Sequence, residues 1–139
     1  MLAGVTELVA LLRRYRLGVV STVSASGQPQ AATVGIAVGD ELELVFDTLA
    51  TTRKFANLVR EPRIAVVMGE GELTIQLEGR ADVPTGDELA RVQAIYFAAW
   101  PDGRERAAWP NITWVRIRPT WLRVSDFAAN PPAIREHAL

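Results

Sequence analysis

The chain has 139 residues, 49% of them hydrophobic, with 15 Lys and Arg against 16 Asp and Glu for a net charge of −1. That length builds one domain around one core, and the near-neutral balance, without a basic tract, argues against general nucleic-acid or membrane-surface binding. Cysteine is absent and His137 is the one histidine, so disulfides, thiolate chemistry, a zinc site and a Ser-His-Asp triad have nothing to be built from. No apolar run reaches transmembrane length, and Arg13, Arg14 and Arg16 interrupt the N-terminal segment early, without a signal-peptide pattern. The expectation is a cytoplasmic protein.

In chain order, residues 2–14 place Leu2, Val5, Leu8, Val9 and Leu12 at helical spacing and predict an amphipathic first helix. Leu17 to Val23 reads as a strand, and the run from Ser24 to Pro29 turns the chain. Gln30 to Val38 predicts a second strand, lightly broken by Gly35. After the Gly39-Asp40 turn, Glu41 to Thr48 alternates Leu42, Leu44 and Phe46 with Glu43, Val45 and Asp47. Thr52 to Arg60 predicts a short helix with Phe55, Leu58 and Val59 on one face. Ile64 to Met68 reads as a buried strand, Gly69-Glu70-Gly71 as a hairpin turn, and Leu73 to Val83 as a long strand. Residues 86–99 predict a second long helix. Asn111 to Phe127 closes the domain as one or two strands, with Pro119 at a bend or bulge, and residues 128–139 read as a C-terminal tail. Short hairpins favour antiparallel pairing, and about six such strands close into a small barrel or form a sandwich.

One local feature points to a ligand. Arg53 and Lys54 fall in the first turn of the short helix behind Thr52, a good N-cap residue. A helix start carries partial positive charge, so each cation there is unfavourable by roughly 0.3–1 kcal/mol. A bound phosphate would reverse that penalty, because free N–H groups, hydroxyls and two cations converge on it. The alternative is a solvated surface turn. With histidine and cysteine chemistry excluded, a borrowed cofactor would have to supply the reactive atoms of any reaction.

Gly27-Gln28-Pro29, Phe46-Asp47-Thr48, Thr52-Arg53-Lys54, Asn57-Leu58, Glu61-Pro62-Arg63 and Glu78-Gly79-Arg80-Ala81 occur in the order seen in the flavin-binding split-barrel family. The chain therefore resembles relatives of pyridoxamine 5′-phosphate oxidase over residues 1–127. The resemblance implies a mainly β fold with peripheral helices, a six-stranded antiparallel split β-barrel. It also implies a homodimer, with flavin mononucleotide (FMN) in clefts between the subunits and a small-molecule substrate. By position, Thr52, Arg53 and Lys54 would hold the flavin phosphate, and Asp47 and Thr48 would lie along the ribityl chain. Ala32, Thr33 and Val34 would lie under the ring through backbone groups, and Thr74 would sit near the phosphate or ring. Two departures stand out. The oxidases carry an Arg and a Lys where this chain has Ala32 and Ala37, and they have a C-terminal substrate-binding extension that this chain does not match.

These features imply an FMN-dependent oxidoreductase that is not a true pyridoxamine phosphate oxidase. A reductase using a deazaflavin coenzyme and a flavin-binding module without turnover are the alternatives. Arg104 and Arg106, between Trp100-Pro101 and Trp109-Pro110, are the best candidates for an anionic substrate, although solvated positions are the commoner fate of such residues. Arg116 and Arg118 share one strand face, expected to be exposed. Asn57 is expected to anchor the helix, and the four tryptophans to serve the core or an interface.

Overall fold

A computed structural model describes residues 4–139. Leu2, placed by its spacing on the first helix, lies outside the described residues. α1 (Val5–Leu12) buries Leu8, Val9 and Leu12, the face set by the apolar spacing. β1 (Leu17–Val23) and β2 (Pro29–Gly35) form an antiparallel hairpin. Its turn places Gly27 at a φ of +86°, a left-handed conformation that favours glycine. After Ile36 the chain continues as β3 (Ala37–Val38), turns, and returns as β4 (Leu44–Leu49). Leu42 closes that turn at φ 68° with its N–H on the Gly39 carbonyl at 3.0 Å, so the regular strand begins at Leu44, three residues later than the expected Glu41.

The remaining elements are α2 (Arg53–Arg60), β5 (Arg63–Glu70), β6 (Leu73–Asp82), α3 (Gly86–Ala99), the short α4 (Gly103–Arg106), β7 (Ile112–Asp126) and β8 (Ala133–Ala138). The strands form one antiparallel sheet in the order β2-β1-β5-β6-β7-β4-β3, with β8 added to β7. β2 and β3 stand at opposite ends of this order, yet Ile36 alone separates them in the chain. The sheet therefore curls until its ends approach each other without pairing, which makes a split half-barrel.

β7 is long enough to serve two neighbours along one edge. Its first half pairs with β4 and its second half with β8, while β6 follows the other edge. Between Gly79↔Pro119 and Glu78↔Trp121 one extra residue, Thr120, bulges from β7. Pro119 is tolerated there because a bulge interrupts the ladder. Gly79 opposite is required by space, since a Cβ would come within 2.5 Å of the Arg118 carbonyl oxygen.

The sheet encloses a main core that includes Val20, Leu44, Phe46, Leu77, Ile117 and Leu122. A second cluster, with Val45, Val92, Tyr96 and Trp114, packs α3 against the opposite face of β4 and β7. Both faces of β4 are thus covered.

Several expectations need correction. Eight strands among the described residues replace six, because β3 is separated from β2 and the segment read as a tail carries β8. β5 is buried on one face alone: Ile64, Val66 and Met68 point inward while Ala65 and Val67 are exposed. Val59 lies on the outer side of α2, 68% exposed, and the buried partner of Leu58 is Asn57. Arg116 is buried, not displayed on an open strand face. Its guanidinium makes two bonds to Asp82, at 2.9 and 2.6 Å, and one to Glu88 at 2.7 Å. Arg118, on the same side, is exposed and reaches Asp82 at 3.4 Å.

Candidate anion site at the start of α2

Thr52 caps α2 as its residue type predicts. Its Oγ1 accepts from the Phe55 N–H at 3.4 Å, donates to the Leu49 carbonyl at 2.9 Å, and lies 3.1 Å from Thr48 Oγ1. The first turn holds no acidic residue. Neither Arg53 nor Lys54 has an ion-pair or hydrogen-bond partner for its side chain among the described residues. Their positive charges therefore add to the helix-start field without internal compensation.

Asn57 fixes where this helix start points. Its Nδ2, in a side chain 5% exposed, donates to Thr22 Oγ1 and to Gln30 Oε1, each at 2.9 Å. These bonds tie α2 to β1 and β2 and leave a cavity of about 320 Å3 between them. Ala32, Gln30, Thr22, Thr52, Arg53 and Lys54 are among its lining residues. Such a volume suits a phosphate and the chain attached to it, at the small end of ligand cavities. Gln30 and Thr22 went unnoticed in the sequence. The one clue was Asn57, a polar residue between the apolar side chains of a short helix.

The other candidate residues divide by strand alternation. Thr48 joins Thr52 through its hydroxyl. Thr33 is exposed on the outer face of β2, and Val34 packs on the core. Thr74 pairs with Gly69 and Ser125 near the β5–β6 turn and does not line the α2 cavity.

Asp47 faces α3. It accepts from Tyr96 Oη at 3.0 Å and from Arg106 Nε at 2.8 Å, and so is not brought together with Arg53 and Lys54. Burial, followed by the Asp47 charge and hydrogen bond, pushes the Tyr96 phenol up to about 12, so it stays protonated and donating at neutral pH. Arg106 also pairs with Asp102 at 2.8 Å, which commits this residue to holding α3 and α4 on β4. Arg104 lies over the Phe97 ring at 4.8 Å.

A curled antiparallel sheet with peripheral helices, and a cationic helix start beside its first hairpin, define the class of split β-barrels. The chain belongs to the pyridoxamine 5′-phosphate oxidase-related split-barrel family, whose pyridoxamine 5′-phosphate oxidase model matches residues 5–126. A pyridoxine/pyridoxamine 5′-phosphate oxidase of Burkholderia vietnamiensis is 35% identical over 94 residues, covering 66% of this chain and 42% of that enzyme. The chain thus matches less than half the length of that relative. Among solved structures, a heme-binding protein from Mycobacterium smegmatis shares the fold with a TM-score of 0.83 at 18% identity, over 99% of this chain and 59% of its own. A pyridoxamine 5′-phosphate oxidase-related, FMN-binding protein from Nostoc punctiforme gives 0.71 at 14% identity, over 99% and 95%.

Proposed function

We propose that this chain is an FMN-binding oxidoreductase of the split-barrel family. The observation that supports it is the α2 cavity, where two uncompensated cations meet a capped helix start. The donor set suits a phosphate monoester: free N–H groups of the first turn and the Arg53 and Lys54 side chains, with the Thr52 hydroxyl holding the turn in shape through the Leu49 carbonyl. In this reading Thr48 borders the ribityl chain and the β2 backbone at Ala32 to Val34 supports the ring. Bound FMN would supply electron transfer, while the protein orients the ring and excludes water from it. Asp47 acts indirectly, by holding Tyr96 and Arg106 against β4. Mass spectrometry and absorbance of the cofactor retained by purified protein test this directly. A deazaflavin or haem spectrum would overturn FMN, and a hydride-donor screen separates an enzyme from a binding module.

The protein is not an efficient pyridoxamine 5′-phosphate oxidase in this proposal. That substrate needs a cationic pocket beyond the one given to the cofactor. The oxidases' second-strand cations are Ala32 and Ala37 here, and Ala37 is buried in the α3 cluster. Arg106 and Arg116 are spent on carboxylates. Aerobic assay of flavin-loaded protein with this substrate is expected to give far less than about 1 s⁻¹. Turnover at or above that rate with micromolar half-saturation would refute the assignment.

A homodimer belongs to the same proposal. The cavity has room for a phosphate but not for the ring, so a second copy is expected to complete the site at its open edge. The outer face of β1 and β5 exposes Val19, Val23 and Val67 together, an apolar surface of the kind that marks association. Light scattering is expected to give twice the 15.2 kDa of one chain, and Val67→Glu to shift the protein toward monomer by placing a charge in the contact. A parent mass near that of one chain, with flavin bound, would sink the shared cleft.

A further inference from the structure

A second cleft, of about 700 Å3, opens between the end of α1, the β3 turn and α3. It shares no lining residue with the α2 cavity. Ala32 and Ile36, which line the two, are four residues apart on one extended segment, roughly 13 Å along the backbone. Its volume falls in the range of small-molecule sites, about 300–1,000 Å3. Ala94 and Ala98 lie one turn apart on α3 and are both exposed, so their small side chains give the cleft depth that longer ones would fill.

Trp100 forms a fixed wall of this cleft. Its Nε1 donates to the Ile36 carbonyl at 3.1 Å, and its ring lies so close to Gly35 that a Cβ there would come within 2.8 Å of the indole. The Arg16 guanidinium stacks over the same ring at 4.0 Å and donates to the Ala99 carbonyl at 2.9 Å. Five N–H groups in a rigid plane leave Arg16 further donors. The other two guanidiniums of the cleft are already paired, Arg13 with Asp40 and Arg91 with Glu43 and Glu88. Arg16 has no carboxylate partner among the described residues.

We propose that this cleft binds a small planar carboxylate. The ring would lie over Ala94 and Ala98 against Trp100, and the carboxylate would accept from Arg16, whose planar fork matches that group. Arg13 and Arg91 are neutralised by Asp40, Glu43 and Glu88, which leaves Arg16 as the cation of the cleft that can take the carboxylate. The proposal stands independently of the flavin reading, because Arg53 and Lys54 take no part in it.

Isothermal titration of the purified full chain, with whatever cofactor it retains, uses 2-naphthoate as the probe. One saturable site per chain is expected, at least tenfold weaker in Arg16→Ala and in Ala98→Leu. The uncharged 2-naphthalenemethanol should also bind at least tenfold more weakly. The Arg53→Ala, Lys54→Ala double variant should bind 2-naphthoate like the parent. Arg16 and Ala98 are exposed, so both substitutions spare the core. The Trp100 indole N–H resonance provides a second readout, expected to shift with 2-naphthoate in the parent and not in Ala98→Leu. Saturation absent below about 1 mM, undiminished affinity in Ala98→Leu, or displacement of 2-naphthoate by added FMN would each overturn the assignment.

Discussion

Replacing Arg53 and Lys54 together with alanine is expected to weaken flavin binding by about 2 kcal/mol or more, close to 30-fold. Charge-assisted bonds are each worth roughly 1.5–3 kcal/mol, and neither cation has a protein partner that would compete for it. The fold should survive without loss. Cations at a helix start oppose the dipole, so their removal is neutral or slightly stabilising for the protein without ligand. The Thr52 cap and the Asn57 bonds, which orient α2, remain in place. Affinity of the parent should also fall with added salt, since the site faces solvent. Fluorescence titration measures the affinity and thermal unfolding checks the fold. Equal flavin affinity in the parent and the double variant would remove Arg53 and Lys54 from the phosphate role.

The barrel was legible because its strands obey local rules. β1, α3 and the Pro119 bulge follow directly from a short apolar run ending in a turn, helical spacing and an imino acid that cannot donate. The Thr52 cap and its two cations were equally visible, since a helix start is a local object. What escaped were effects of the opposite face. Asp47 and Thr48 are neighbours in sequence, yet strand alternation sends one toward α3 and the other toward α2. Arg116 looked solvent-facing because its partners, Asp82 and Glu88, come from a preceding strand and from the following helix. β8 has alternation too weak to announce a strand, with Ile134, Glu136 and Ala138 all exposed. It forms because the second half of β7 presents a free edge once β4 has diverged. Val67 and Ala65 looked buried because an apolar run does not disclose that one of its two faces is left uncovered by the rest of the chain.

Arg116→Ala is expected to lower folding stability by about 2–3 kcal/mol at neutral pH. Breaking a fully buried ion pair costs about 3–5 kcal/mol. Arg116 is 5% exposed, but the Asp82 and Glu88 side chains are 44% and 51% exposed, so water takes over part of their solvation and the cost falls below that range. Acid should erode the difference. The Arg116 hydrogen bonds hold the Asp82 carboxyl below its ordinary value, and with help from Arg91 they do the same for Glu88. A depressed carboxylate contributes stability above its unfolded value of about 4, and that contribution is lost as pH falls through the folded one. The parent should therefore lose stability below about pH 4 more steeply than Arg116→Ala, and the two curves should converge. Urea unfolding at neutral pH and again near pH 3 measures both parts. A loss under about 1 kcal/mol at neutral pH, or a gap that persists undiminished in acid, would show that the pair does not anchor α3. Flavin affinity should be unchanged in the folded variant, because Arg116 secures the far face of the sheet and the phosphate cavity rests on Asn57, Thr22 and Gln30.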